Sequence, residues 1–94
     1  MTETHEIRLR RLRMRAGHRG TREMDIILGT WAIARLDTAG PDVLDVFEAL
    51  LDEADQDLYL WVSGQAEAPA TYRGLVADLA ATMDVAPRDR PNLT

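Results

Sequence analysis

The stretch Arg19-Gly20-Thr21-Arg22-Glu23-Met24-Asp25 places a glycine, two arginines and two acids within one short run. Arginine and carboxylate side chains make charge-assisted hydrogen bonds, and a glycine beside them lets another backbone come close. Two uses fit this spacing. In the first, the run is a turn and a helix cap: Gly20 stands near the N-cap, Glu23 falls at N3 as half of a capping box, Asp25 gains from the helix dipole, and Arg19 or Arg22 pairs with Glu23. In the second, Arg19, Gly20, Arg22, Glu23 and Asp25 form a surface that binds a partner. Spacing alone leaves both open.

Elsewhere the sequence offers little for catalysis. His5 and His18 have no second histidine or cysteine at ligand spacing, so a metal site would need acids from distant helices. Ser63 is the only serine, and Gly64 beside it marks a helix end rather than a nucleophile. The six glycines are scattered singly, which excludes a phosphate-cradling loop. Asn92-Leu93-Thr94 matches a glycosylation acceptor but carries no weight without a secretory signal. With no nucleophile, base and orienter set, the expectation is a protein that is not an enzyme and holds no metal.

The chain has 94 residues and no cysteine, enough for one small domain and excluding disulfides, thiolate zinc sites and iron–sulfur centres. No apolar run approaches the length of a membrane span, and the start lacks a signal-like pattern, so the expected location is cytoplasmic, without membrane insertion. The net charge of −5 conceals an asymmetry. Residues 1–22 hold seven arginines against Glu3 and Glu6, a balance of +5, and the remaining residues carry −10. All eleven basic residues are arginine.

The elements that must position these residues are helices throughout, with breaks at residues 17–20, 37–41, 54–55 and 64–69. The expected fold is all-α, a compact five-helix bundle over residues 1–87, with a disordered tail at 88–94. In a first helix, residues 3–16, Leu9, Leu12 and Ala16 share one face while Arg8, Arg11 and Arg15 share another. A second, residues 21–36, is apolar around most of its circumference through Met24, Ile26, Ile27, Leu28, Trp31, Ala32, Ile33 and Ala34, which predicts a central helix. Gly40-Pro41 opens a third, with Val43, Leu44, Phe47, Leu50 and Leu51 inward and Asp42, Asp45, Glu48, Asp52 and Glu53 outward. Asp55 is the expected N-cap of a short fourth helix that turns Leu58, Trp61 and Val62 inward and ends at Ser63-Gly64. Tyr72, Leu75, Val76, Leu79 and Met83 define a fifth, limited by Pro87.

Trp31 and Trp61 suit either the core or an exposed interface anchor. The acidic run Asp52-Glu53-Ala54-Asp55-Gln56-Asp57 reads as a solvated helix junction with a cap, or as a complement to a basic surface on a partner.

Taken together, Arg19-Gly20-Thr21-Arg22-Glu23-Met24-Asp25 resembles the R-G-x-x-E-x-D signature of the FAD assembly factor SdhE family, also called succinate dehydrogenase assembly factor 2. Asp55-Gln56-Asp57-Leu58-Tyr59-Leu60-Trp61 is similar to that family's D-x-D-L-[FY]-x-W stretch, and the arginine-rich first helix, the apolar second and a final helix fall in the same order over about residues 7–84. Gly17 departs, standing where relatives often carry a larger residue. The resemblance implies a small helical protein that binds the flavoprotein subunit of succinate dehydrogenase, or of fumarate reductase, and promotes covalent attachment of FAD to it. Carried over, Arg19, Gly20 and Glu23 become the contact residues, with Arg22 and Asp25 beside them. The flavin belongs to the client, no cofactor is held tightly, and the free chain is expected to be a monomer. A rival reading is a small nucleic-acid-binding module, suggested by the +5 of residues 1–22; the mostly apolar second helix and the −10 of the remainder oppose it.

Overall fold

The computed structural model describes residues 3–85, with side chains described as far as Thr82. Five α-helices follow one another: α1 (His5–Gly17), α2 (Arg22–Arg35), α3 (Pro41–Leu50), α4 (Asp55–Val62) and α5 (Ala70–Val85), with a 3₁₀ turn at Leu36–Thr38 after α2. No strand occurs among the described residues, and none of their helices is long and apolar enough to cross a membrane. The expected tail at 88–94 lies outside the described residues, as does the side chain of Met83.

Each helix starts and stops for a local reason. The Thr4 hydroxyl accepts the N–H of Ile7 at 3.1 Å and caps α1. Gly40 is the N-cap of α3 and Pro41 its first residue, where the missing N–H leaves nothing unsatisfied. At the end of α4 the chain reverses through Gly64 at φ 82°, a left-handed conformation that favours glycine. Two expected caps move by one residue. Thr21, not Gly20, is the N-cap of α2, because its hydroxyl accepts the Met24 N–H at 3.3 Å while Gly20 has no side chain to offer. Ala54, not Asp55, precedes α4, because the Asp55 carboxylate is engaged across the molecule.

α2 packs against α1 on one side and against α4 and α5 on the other, and α3 joins through α5. Leu12, Met24, Leu28, Trp31, Leu36, Phe47, Leu50, Leu58 and Leu79 meet in one core. Burying each such side chain contributes about 1.5–3 kcal/mol. Trp31 settles into this core, its ring 4.6 Å from that of Phe47, and its indole N–H donates to Asp78 at 2.6 Å. Trp61 is half-buried and stacks on Tyr72 at 5.8 Å. α2 is central, as its apolar circumference predicts, but it is not enclosed all round: Ile26 and Ile33 face outward, at 49% and 82% exposure. Val43, expected inside, is likewise exposed. A Cβ built on Gly29 of α2 would lie 4.0 Å from the Gly17 Cα, so the end of α1 closely approaches α2.

The charge asymmetry is resolved within the chain. Arg8 donates to Asp45 at 2.8 Å and to Glu48 at 3.0 Å, Arg11 to Glu48 at 2.8 Å, and Arg15 to Asp52 at 2.8 Å. The Arg8–Asp45 and Arg15–Asp52 pairs share a sequence separation of 37, and Arg19–Asp55 has 36, so α1 runs alongside α3 in the same direction with matched charges. Arg13 pairs with Asp37 and Arg11 also with Glu3. Of the acidic run, Asp52 pairs with Arg15 of α1 and Asp55 with Arg19 just beyond that helix. Glu48 is held below the usual carboxylate range chiefly by its hydrogen bond to Arg11, then by that to Arg8.

Candidate functional site

The turn from α1 to α2 lies against the junction of α3 and α4, and the seven-residue motif straddles the contact. Its members divide. Arg19 turns inward, its side chain only 11% exposed: Nε donates to Asp55 Oδ1 at 2.8 Å, and the two terminal nitrogens donate to the carbonyls of Leu51 at 2.6 Å and Glu53 at 2.9 Å. These carbonyls lie where α3 ends, among groups that have no helical partner, and a planar guanidinium reaches both while holding the carboxylate. Asp25 also works internally, accepting the backbone N–H of Arg19. Neither Arg19 nor Arg22 pairs with Glu23, in contrast to the local pairing that spacing allows, because Asp55 offers Arg19 a more enclosed partner.

Gly20, Thr21, Arg22 and Glu23 form the outer edge and are exposed. The Gly20 N–H donates to Asp55 Oδ2 at 2.9 Å. A Cβ at Gly20 would sit 3.4 Å from that same oxygen, an ordinary contact, so the backbone needs no glycine here; a longer side chain would project onto the edge. With Thr21 as N-cap, Glu23 is the second helical residue rather than the third, so the capping box is not formed. Among the described residues Arg22 and Glu23 make no ion pair. Both are available to another molecule.

Beside this edge lies an open groove of about 390 Å³ lined by the N-cap Thr21 and Glu23 at the start of α2 and by Asp55, Gln56 and Tyr59 from α4. Tyr59 is 42% exposed and adds an aromatic surface to the charged rim. Gln56 and Tyr59 were not singled out as site residues from the sequence, although they lie in the acidic-aromatic stretch; only the fold shows that α4 brings them opposite Glu23. On the far side of Glu53, the Tyr72 hydroxyl donates to its carboxylate at 2.8 Å, and burial, then this bond, push the phenol above its ordinary range. No cluster of three metal-ligating side chains occurs among the described residues.

A small all-helical module with an exposed glycine-and-acid edge is the class of protein that this fold and site define. The comparisons give that class a family. The family model described as the flavinator of succinate dehydrogenase, Sdh5, matches residues 10–83, and the chain belongs to that family. It is 35% identical over 71 residues to a mitochondrial succinate dehydrogenase assembly factor 2 of Schizosaccharomyces pombe, a match covering 76% of this chain and 51% of that protein. It is also 40% identical over 62 residues to the FAD assembly factor SdhE of Acetobacter pasteurianus, covering 66% of this chain and 57% of that one. With the assembly factor 2 of Mycosarcoma maydis the identity is 35% over 71 residues, or 30% of that protein's length. The chain thus spans about half the length, or less, of these relatives.

Proposed function

We propose that the chain is a non-catalytic assembly factor that binds the flavoprotein subunit of succinate dehydrogenase and promotes covalent attachment of FAD to it. Membership of the flavinator family across residues 10–83 carries this reading. The exposed Gly20–Glu23 edge supplies the surface by which it acts. The flavoprotein subunit of fumarate reductase is a second client in this reading, and the cytoplasm is the compartment. The free chain acts as a monomer.

FAD itself belongs in the client. Among the described residues no cation lines the groove beside Gly20 and the unpaired carboxylate of Glu23 repels a pyrophosphate, so the residues present do not suit the dinucleotide. What a docking surface can do is select. Covalent flavinylation requires the flavin carbon and a histidine of the client to be aligned. A factor that binds the aligned conformation more tightly shifts the client toward it by its differential affinity, and about 1.4 kcal/mol changes that equilibrium tenfold. Glu23 offers a charge-assisted contact to a basic group of the client, Arg22 one to an acidic group, and Gly20 a flat place for close approach.

The nucleic-acid reading draws no support from α1, whose Arg8, Arg11 and Arg15 are occupied by Asp45, Glu48 and Asp52. Co-expression of the chain with a flavoprotein subunit, read by in-gel flavin fluorescence, tests the proposal. Glu23→Ala and Gly20→Arg are expected to remain folded and to reduce covalent flavin severalfold. Wild-type fluorescence with both folded variants would refute the edge as the working surface.

A further inference from the structure

The groove has two walls from different helices. Glu23 stands on the first turn of α2, and Gln56 and Tyr59 stand on α4. Two of the motif's residues tie these helix starts together, and both ties run to one carboxylate. Asp55 accepts Arg19 Nε on one oxygen at 2.8 Å and the Gly20 N–H on the other at 2.9 Å. It is the first residue of α4, yet its side chain makes no cap on its own helix. Its enclosure also sets it apart from the rest of the charge ladder. Asp55 and Arg19 are 15% and 11% exposed, whereas the ladder's Asp45 and Asp52 are 70% and 75% exposed. The exposed pairs are screened by water; this one is largely removed from it.

We infer that Asp55 is the positioning residue of the docking edge, and that Arg19 acts through it rather than by touching the client. This inference rests on the proposed flavoprotein-docking function and deepens it. With both oxygens occupied, the carboxylate fixes the peptide of Gly20 and, through Arg19, the carbonyls at the end of α3, so that α2 and α4 present Glu23, Gln56 and Tyr59 as one preformed surface. Preorganisation of this kind raises affinity by removing the ordering cost that a loose turn would incur on binding. An asparagine at position 55 keeps the size but cannot serve both partners. Each site presents an N–H donor, and one end of an amide is itself a donor.

Nuclear magnetic resonance of the free, full chain and calorimetric titration with purified apo-flavoprotein subunit test this together, using Asp55→Asn, Arg19→Gln and the double variant, at a temperature where circular dichroism shows all of them folded. In the free chain, Asp55→Asn is expected to shift the Gly20 amide proton strongly upfield and to broaden the amides of residues 20–23, while amides of Leu28 and Leu79 stay in place. In the titration each single variant is expected to weaken binding about tenfold, the scale of one lost charge-assisted hydrogen bond. The double variant is expected to be no weaker than either single one. An additive, roughly hundredfold loss in the double variant would assign Arg19 its own contact with the client and overturn the inference. So would a lowered melting temperature with unchanged affinity, which marks a merely structural pair, or an unmoved Gly20 amide. Absence of binding by the wild-type chain would instead overturn the docking function itself, while the amide shifts still report on the positioning.

Discussion

At residue scale, Gly20 and Trp31 show how different positions in one small chain are constrained. The Gly20 Cβ position lies at contact distance from Asp55, so Gly20→Ala is expected to change melting temperature and client binding little, while Gly20→Arg weakens binding severalfold by placing a long cation on the edge. A titration series from alanine to arginine at this position checks it, with affinity falling in order of side-chain size. Trp31 is different, since it is 2% exposed, stacks on Phe47 and donates to Asp78. Trp31→Phe removes ring volume from the core and a donor from Asp78, which retains Arg35 at 3.2 Å. We expect a loss of about 2 kcal/mol, measured as a lower urea midpoint with an unchanged slope.

At the scale of elements, the arginine and acid stripes join α1 to α3 without close backbone packing. Glu48 is held below its ordinary range, which means the folded state favours the charged form; its contribution is present above the unfolded-state value of about 4.3 and is lost as pH falls through the lower folded value. Glu48→Gln should therefore lower the melting temperature near pH 7 and show a smaller further drop than wild type between pH 5 and roughly pH 3. Thermal melts across that range check the sign. The stripes were half legible in the sequence. Arg8, Arg11 and Arg15 fall on one helical face, and the acids of α3 fall on its outer face, at spacings set by the helical repeat. Their partnership is not legible in either helix taken alone; the matching intervals of residues 8, 11, 15 and 45, 48, 52 are the signal the sequence carries. Burial of Leu9, Leu12, Phe47 and Leu79 followed directly from period 3.6. Outward-facing Ile26 and Ile33 did not, since a helix's periodicity cannot count how many neighbours the fold will supply. At the site, the motif and its exposed Gly20 and Glu23 could be located in the sequence, whereas the inward turn of Arg19 depends on carbonyls of Leu51 and Glu53 that only the fold brings near.

At the scale of the whole molecule, the −5 charge is the remainder of a largely internal neutralisation. Two oppositely charged parts of the sequence lie against each other, and the uncommitted polar groups of the motif collect at the end where α1 gives way to α2. Among the described residues the Gly20–Glu23 edge stays exposed there, and in the proposed function it is the surface that holds a larger protein in a reactive conformation. The rate of covalent flavin formation in purified apo-flavoprotein subunit, mixed with FAD with and without this chain, tests that role most directly. The account predicts that covalent flavin accumulates at least severalfold faster when the chain is present and that the chain carrying Gly20→Arg gives a severalfold smaller acceleration. Equal rates with and without the wild-type chain would contradict it.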